Sequence, residues 1–271
     1  MTAQTFIRIC MLPLAIVVTA FFVLPMARLV IAGASGDHGI GAYAAILLEP
    51  RYRATLINTV LLAGATTVAT LFIATISGLF LQRRRFPGRA LLVAMLTFPL
   101  AFPGVVVGFM IILLAGRQGL VGDVTFRVFG DRAVFAYSMI GLFLGYLYFS
   151  IPRVILTIMA AVEKLDPSLE EAARALGAGP WALYRDVILP ALAPALIASG
   201  AIAFATAMGA FGTAFTLATD IDVLPMVIYT EFTLSANLAT AAALSVGLGL
   251  VTWVILVFAR SYGGNTAAAS G

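Results

Sequence analysis

The sequence predicts an all-α membrane protein of six transmembrane helices, and three observations carry that expectation. Hydrophobic residues make up 62% of the 271 and charged residues only 10%, against about 25% charged in soluble domains. Six charge-free runs, Ile9 to Ala27, Ala54 to Gln82, Ala90 to Gly116, Ala133 to Pro152, Val187 to Thr219 and Phe232 to Ala259, each reach the roughly 18–20 apolar residues that a helix needs to cross a bilayer core. No run alternates apolar with polar residues as a membrane barrel strand would, so helices must satisfy the backbone in lipid.

The first run follows Arg8 and precedes Ala32-Gly33-Ala34, which looks like a cleavage site. Its apolar stretch exceeds the roughly 7–15 residues of a signal core, so it is expected as a retained span. Between spans, RRRFPGR (Arg83 to Arg89) reads as a short turn whose charges anchor at anionic headgroups. It is too short, and lacks the soluble domain, for a nucleic-acid surface.

Positive charge sets the orientation. Arg8, Arg83, Arg84, Arg85, Arg89, Arg153, Lys164, Arg174, Arg185 and Arg260 all fall on one side if the N-terminus is cytoplasmic, ten of the sixteen basic residues. The positive-inside rule then expects both termini in the cytoplasm. Topology, not nucleic acid, explains the pI near 9.5.

The loops on the other side are modest. His38, beside Asp37, is the only histidine and reads as solvated, without partners for a metal site. Arg117 to Arg132 is a loop of mixed sign. Asp220, Asp222 and Glu231 lie in a third loop without a basic residue, which could attract a cation or simply be the counterpart of the positive inside. Cys10, the single cysteine, excludes an intrachain disulfide and reads as an apolar filler.

No ionisable residue is expected in the middle of any span, whereas ion-coupled carriers usually keep one at depth. No phosphate-cradling GxxxxGK[ST] loop appears either. Neither catalysis, cofactor nor metal is expected, and energy must come from a partner. The fifth run holds 33 residues, roughly 50 Å as helix, beyond a core of about 30 Å. It must break, and Gly209 and Gly212 in MGAFGTAF are the expected point. Pro99, Pro103, Gly104 and Gly108 interrupt the third run. Irregular backbone at depth suggests a conduction region, with Thr97, Pro103, Met208, Phe211 and Thr213 as its lining, although close packing through small residues explains the glycines equally well.

One charged, amphipathic island interrupts the apolar runs, EAARALGAGPWALYRDVILP from Glu171 to Pro190. Asp166 suits an N-cap, Pro167 the first helical position, and Gly177 a left-handed C-cap. Leu169, Ala172, Ala173 and Leu176 make an apolar stripe at helical spacing. A second short helix over Trp181 to Val187 is expected, with Pro190 as the entry to the next span. Such an element is either built to dock or lies on the membrane surface.

Glu171-Ala172-Ala173, then Gly177, Val187 and Leu189-Pro190, in this spacing, resembles the EAA signature of binding-protein-dependent ABC importer permeases, with Val187 in place of the family's isoleucine. From TLINTV in the second span to the sixth span the resemblance is one of spacing. It implies a type I importer permease (MetI-like) fold: a five-helix core over 54–260, preceded by an N-terminal helix and loop (1–53) and followed by a flexible tail (261–271). It also implies that the loop at about 163–190, including Glu171, Ala172, Ala173, Gly177, Val187, Leu189 and Pro190, docks on ATP-binding subunits. A second permease subunit, identical or sister, and an extracytoplasmic substrate-binding protein complete the implied inner-membrane assembly. GAFGTAFTLA and LPMVIYTEF are similar to permeases of the group serving polyamines, ferric iron, thiamine, phosphonates and sulfate, and the acidic third loop leans toward a polyamine. A membrane scaffold recruiting a cytoplasmic partner, or an ion-coupled carrier, are the alternative functions.

Overall fold

The computed structural model describes residues 3–36, 39–217 and 221–268, with side chains from 11 to 261. Asp37, His38, Thr219, Asp220 and the Cys10 side chain fall outside the described residues. All regular structure among those described is helical. Among the described residues six stretches are long and apolar enough to span a membrane: Met11–Gly33, Pro50–Arg83, Gly104–Phe129, Met139–Glu163, Pro180–Met208 and Leu238–Ser261.

The helices are α1 (Ala3–Val18), α2 (Leu24–Gly33), α3 (Ala42–Leu48), α4 (Pro50–Arg83), α5 (Arg89–Thr97), α6 (Gly104–Ala115), α7 (Leu120–Phe129), α8 (Met139–Glu163), α9 (Pro167–Ala175), α10 (Pro180–Leu183), α11 (Leu189–Met208), α12 (Gly212–Leu217), α13 (Leu224–Thr233) and α14 (Leu238–Ala268). The last runs through most of the expected tail.

Two π-turns, Thr19–Val23 and Tyr184–Ile188, join α1 to α2 and α10 to α11. Each stands immediately before a Leu-Pro pair, Leu24-Pro25 and Leu189-Pro190. Proline has no N–H for the carbonyl four residues back. The preceding leucine therefore reaches one residue further, Leu24 N to Thr19 O and Leu189 N to Tyr184 O, and the helix continues through the proline. This corrects two expectations. Pro190 does not open a new span, and the second helix of the island is not separate: Pro180–Met208 is one 29-residue helical stretch.

The chain divides into two compact units, Met1–Leu56 with Leu224–Val251, and Ile57–Val223 with Thr252–Gly271. Within the first, a Cβ on Gly33 would meet the Tyr43 ring and the Ala243 backbone, so α2 approaches α3 and α14 through a bare backbone. The Tyr43 hydroxyl donates to the Val30 carbonyl. Glu231 is only 6% exposed; it accepts from the Tyr52 hydroxyl at 3.2 Å and from Arg51 Nη1 at 3.5 Å. That acid is therefore not free to attract a cation.

In the second unit, Ala74, Leu79 and Leu81 of α4 pack with Val154, Ile155, Ile158 and Val162 of α8 and Leu183, Ile188 and Leu192 of the α10–α11 stretch. Lipid tails are as apolar as these side chains, so close contact rather than escape from water must hold the helices. Gly78 supplies it on α4, where a Cβ would lie 2.9 Å from Ile158 Cγ2.

The third and fourth spans depart from the charge-free runs. The third is broken by a 3-10 turn at Phe98–Ala101, by Phe102-Pro103, and again at Gly116–Gly119 between α6 and α7. The fourth extends past Pro152 to Glu163, capped at its start by Ser138 Oγ, which accepts from Gly141 N. Arg153 is thus inside a span. The expectation of charge-free interiors fails because a run read off the sequence must stop at the first charge, whether or not the helix does.

Candidate functional site

The island folds as its local chemistry demands. Asp166 accepts from the Ser168 backbone N–H at 2.9 Å and opens α9 with Pro167 at its first position. That N–H, and the Ser168 side chain after it, hold the Asp166 carboxyl below the usual carboxylate range. At the other end Gly177 has φ +83°. Gly177 N donates to Arg174 O at 2.9 Å and Ala178 N to Ala173 O at 3.0 Å, the paired bonds of a Schellman cap.

Ala173 and Val187 pack against the α4–α8–α11 core, whereas Glu171, Ala172, Gly177, Leu189 and Pro190 are exposed. Leu176 is 90% and Trp181 76% exposed, and Leu169 near the start of α9 is exposed too. Apart from Ala173, the apolar stripe therefore faces outward. The element is fixed from behind: Glu170 pairs with Arg83 at the end of α4 and with Arg174 at 3.7 Å. Arg89 donates through Nε to Leu81 O and through Nη2 to Gln82 Oε1. Of the basic turn expected to anchor at headgroups, Arg84 and Arg85 are left exposed. A cleft of about 1230 Å³ lies beside this clamp, lined by Phe72, Ile76, Phe80, Arg83, Trp181 and Tyr184 among others.

The second constellation is the pair of broken helices. α11 stops at Met208 and α12 begins at Gly212. A Cβ on Gly104 would meet Thr213 Oγ1 at 3.0 Å, and one on Gly212 would meet Val105 N at 3.1 Å, so the breaks in the third and fifth spans lie against each other. Thr213 Oγ1 donates to Gly104 O at 3.0 Å and Thr216 Oγ1 to Val105 O at 3.3 Å. The Tyr146 hydroxyl donates to Ala210 O at 2.7 Å, satisfying a carbonyl that the break would orphan. Gly145 on α8 admits the Thr213 methyl: a Cβ there would stand 2.7 Å from Thr213 Cγ2.

Expected lining residues divide accordingly. Met208 and Thr213 are each 1% exposed and belong to the packing that holds the breaks. Pro103 is exposed at the break, Phe211 is half-buried with its ring 5.3 Å from that of Phe215, and Thr97 is exposed with its hydroxyl on Ala94 O. Sequence reasoning missed Tyr146 and Arg153. The signal for Arg153 was the length of the apolar stretch on both sides of it. Among the described residues no group of His, Cys, Asp or Glu could hold a metal ion.

Six candidate spans, adjoining mid-span breaks and a rigidly backed amphipathic connector define a polytopic membrane protein. Residues 70–263 match the family of binding-protein-dependent transport system inner membrane components, and the chain belongs to that family. It is similar to the molybdenum transport system permease protein ModB of Escherichia coli (strain K12), 33% identical over 220 residues, which span 78% of this chain and 93% of that protein. It is also similar to the sulfate transport system permease protein CysT of the same strain, 36% identical over 170 residues, 60% of each chain. In fold it matches a chain of a bacterial ABC transporter involved in the import of the acidic polysaccharide alginate, with TM-score 0.78, 18% identity and coverage of 97% and 96%. The chain is thus an ABC importer permease subunit, a multi-pass inner-membrane protein for solute uptake and not an enzyme.

Proposed function

We propose that this chain pairs with a second permease subunit to form the translocation path of an ATP-driven importer. The Glu171–Pro190 element docks on an ATP-binding subunit in the cytoplasm, where both termini also lie. A binding protein delivers the solute from the other side. The observation that carries the reading is the exposed apolar pair Leu176 and Trp181 on an otherwise charged, capped element clamped to α4. A large apolar surface on such an element signals a protein partner.

Glu171, Ala172, Gly177, Leu189 and Pro190 present or shape the docking face, while Ala173 and Val187 seat the element on the core. Closure of the ATP-binding subunits then moves α11, because the helix runs unbroken from Pro180 to Met208. ATP and the loaded binding protein switch the path only by favouring one of its conformations over the other. Pro103, Phe211 and Thr97 are the lining residues, and Met208 and Thr213 hold the broken segments behind them. A scaffold without transport has no use for adjoining mid-span breaks.

The cargo is a small anion. Glu231 is engaged with Arg51 and Tyr52, which weakens the acidic-loop argument for a polyamine, and the relative CysT is named for sulfate.

The test is co-purification with the ATP-binding subunit. Trp181→Ala with Leu176→Ala is expected to release that subunit and abolish binding-protein-stimulated ATP hydrolysis while leaving the permease folded. Retention of the subunit, or labelling of a cysteine at Ala178 only from outside the cell, would refute the docking assignment.

A further inference from the structure

Arg153 stands 14 residues after Met139 and 10 before Glu163 in α8, about 21 Å and 15 Å from the two helix ends at roughly 1.5 Å per residue. Those roughly 36 Å exceed a hydrocarbon core of about 30 Å, which leaves Arg153 about 9–15 Å from the nearer membrane surface, at or beyond the reach of a snorkelling side chain. The residue is nevertheless exposed. Its one partner among the described residues is Thr206 of α11, whose Oγ1 accepts from Arg153 Nη1 at 3.2 Å. The Thr206 hydroxyl itself donates to Ile202 O at 2.7 Å, so its oxygen is turned to receive the guanidinium.

None of the ion pairs among the described residues includes Arg153. A guanidinium has five N–H donors, and one is used. The C-terminal end of α11, two residues beyond Thr206, offers the partial negative charge of a helix terminus but no full neutralisation. An exposed, uncompensated cation at that depth is costly against lipid, and such residues almost always face the bundle interior or a water-filled cavity. Thr157, one turn along α8, is also exposed, so this face carries a polar strip.

We propose that Arg153 is a mid-membrane binding residue for an oxyanion on the translocation path, with Thr206 as its positioning residue. The planar donor fork fits a tetrahedral oxyanion in bidentate fashion. Its place beside the end of α11 puts it next to the break at Gly209–Phe211. The inference rests on the proposed transport of an anionic solute and names the residue that would recognise it inside the membrane.

The experiment uses the assembled transporter in nanodiscs, with Cys10→Ala, the only native cysteine, and Thr157→Cys as reporter. Labelling rates are measured with two methanethiosulfonates of similar size, one bearing a sulfonate and one a trimethylammonium. With Arg153 present the sulfonate reagent is expected to react faster. Arg153→Gln should lower the sulfonate-to-ammonium rate ratio roughly five- to tenfold, the size of one unit charge acting at about 7 Å in a hydrated path. Arg153→Lys should preserve most of the ratio, and inorganic sulfate should slow labelling only when Arg153 is present. A reporter that neither reagent reaches, or a ratio unchanged by Arg153→Gln, overturns the proposal; the latter is the outcome if a carboxylate of the second permease subunit neutralises the arginine. ATP-binding subunits that stay bound and stimulated throughout would confine such a failure to this inference. Their absence from the unmutated assembly would instead refute the proposed function.

Discussion

Gly177 provides the sharpest test of how the docking element keeps its shape. Its φ of +83° is one that residues with a Cβ rarely adopt. Nothing lies within 4 Å of an added Cβ, so substitution there brings no collision with a neighbour and isolates the backbone cost. That cost is roughly 1–2 kcal/mol for an L residue in the left-handed region, greater for a β-branched one and smaller for asparagine. At 1.4 kcal/mol per factor of ten, an undocked element that relaxes out of the cap carries this cost into binding, so Gly177→Ala should weaken docking of the ATP-binding subunit by as much as about five- to thirtyfold. Gly177→Val should weaken it further, and Gly177→Asn should stay close to the original. The measurement is a titration of ATP-binding subunit onto permease in nanodiscs, read by stimulated ATP hydrolysis. An Asn variant as weak as the Val variant, or a Val variant of unchanged affinity, would refute the argument from backbone conformation.

Three further outcomes follow from contacts described above. Gly145→Ala should destabilise the permease by about 1–3 kcal/mol through overpacking, because the new methyl meets Thr213 Cγ2 at 2.7 Å. Adding Thr213→Ser, which removes that methyl but keeps the hydroxyl, should restore much of the thermal stability. Tyr146→Phe removes the donor to Ala210 O and should cost about 1 kcal/mol, read as faster hydrogen exchange across Gly209–Phe211. Asp166→Ala should fray the start of α9, and Asp166→Asn should not, by exchange at Ser168. The folded state holds the Asp166 carboxyl below its ordinary range, so its contribution is present above that range and is lost as pH falls through the lowered value.

What was legible in the sequence was what local chemistry determines. Asp166-Pro167 and Gly177 announce a cap at each end of α9 because their preferences act over three or four residues. Gly209, Gly212 and Pro103 announce interrupted helices for the same reason. The orientation of the apolar stripe was not legible: Leu176 shares helical spacing with Ala173, but the Schellman turn leaves one exposed and the other packed. The continuity through Pro190 was hidden because a proline reads as punctuation until the π-turn before it is seen. Arg153 was misplaced because a charge-free run has to stop at the first charge, and the Thr206 hydroxyl to which it donates stands 53 residues away. Glu231 read as a loop acid because its partners stand 179 and 180 residues earlier.

That last separation bears on how the protein is made. Arg51 and Tyr52 leave the ribosome long before Glu231 does, and at roughly 5–20 residues per second the wait is about 10–35 s. During that interval the beginning of α4 enters the bilayer without the acid it will eventually grip. The bond between them is therefore a late seal, closed only after three further spans have been threaded, and it joins the start of the second span to the connection between the fifth and the sixth.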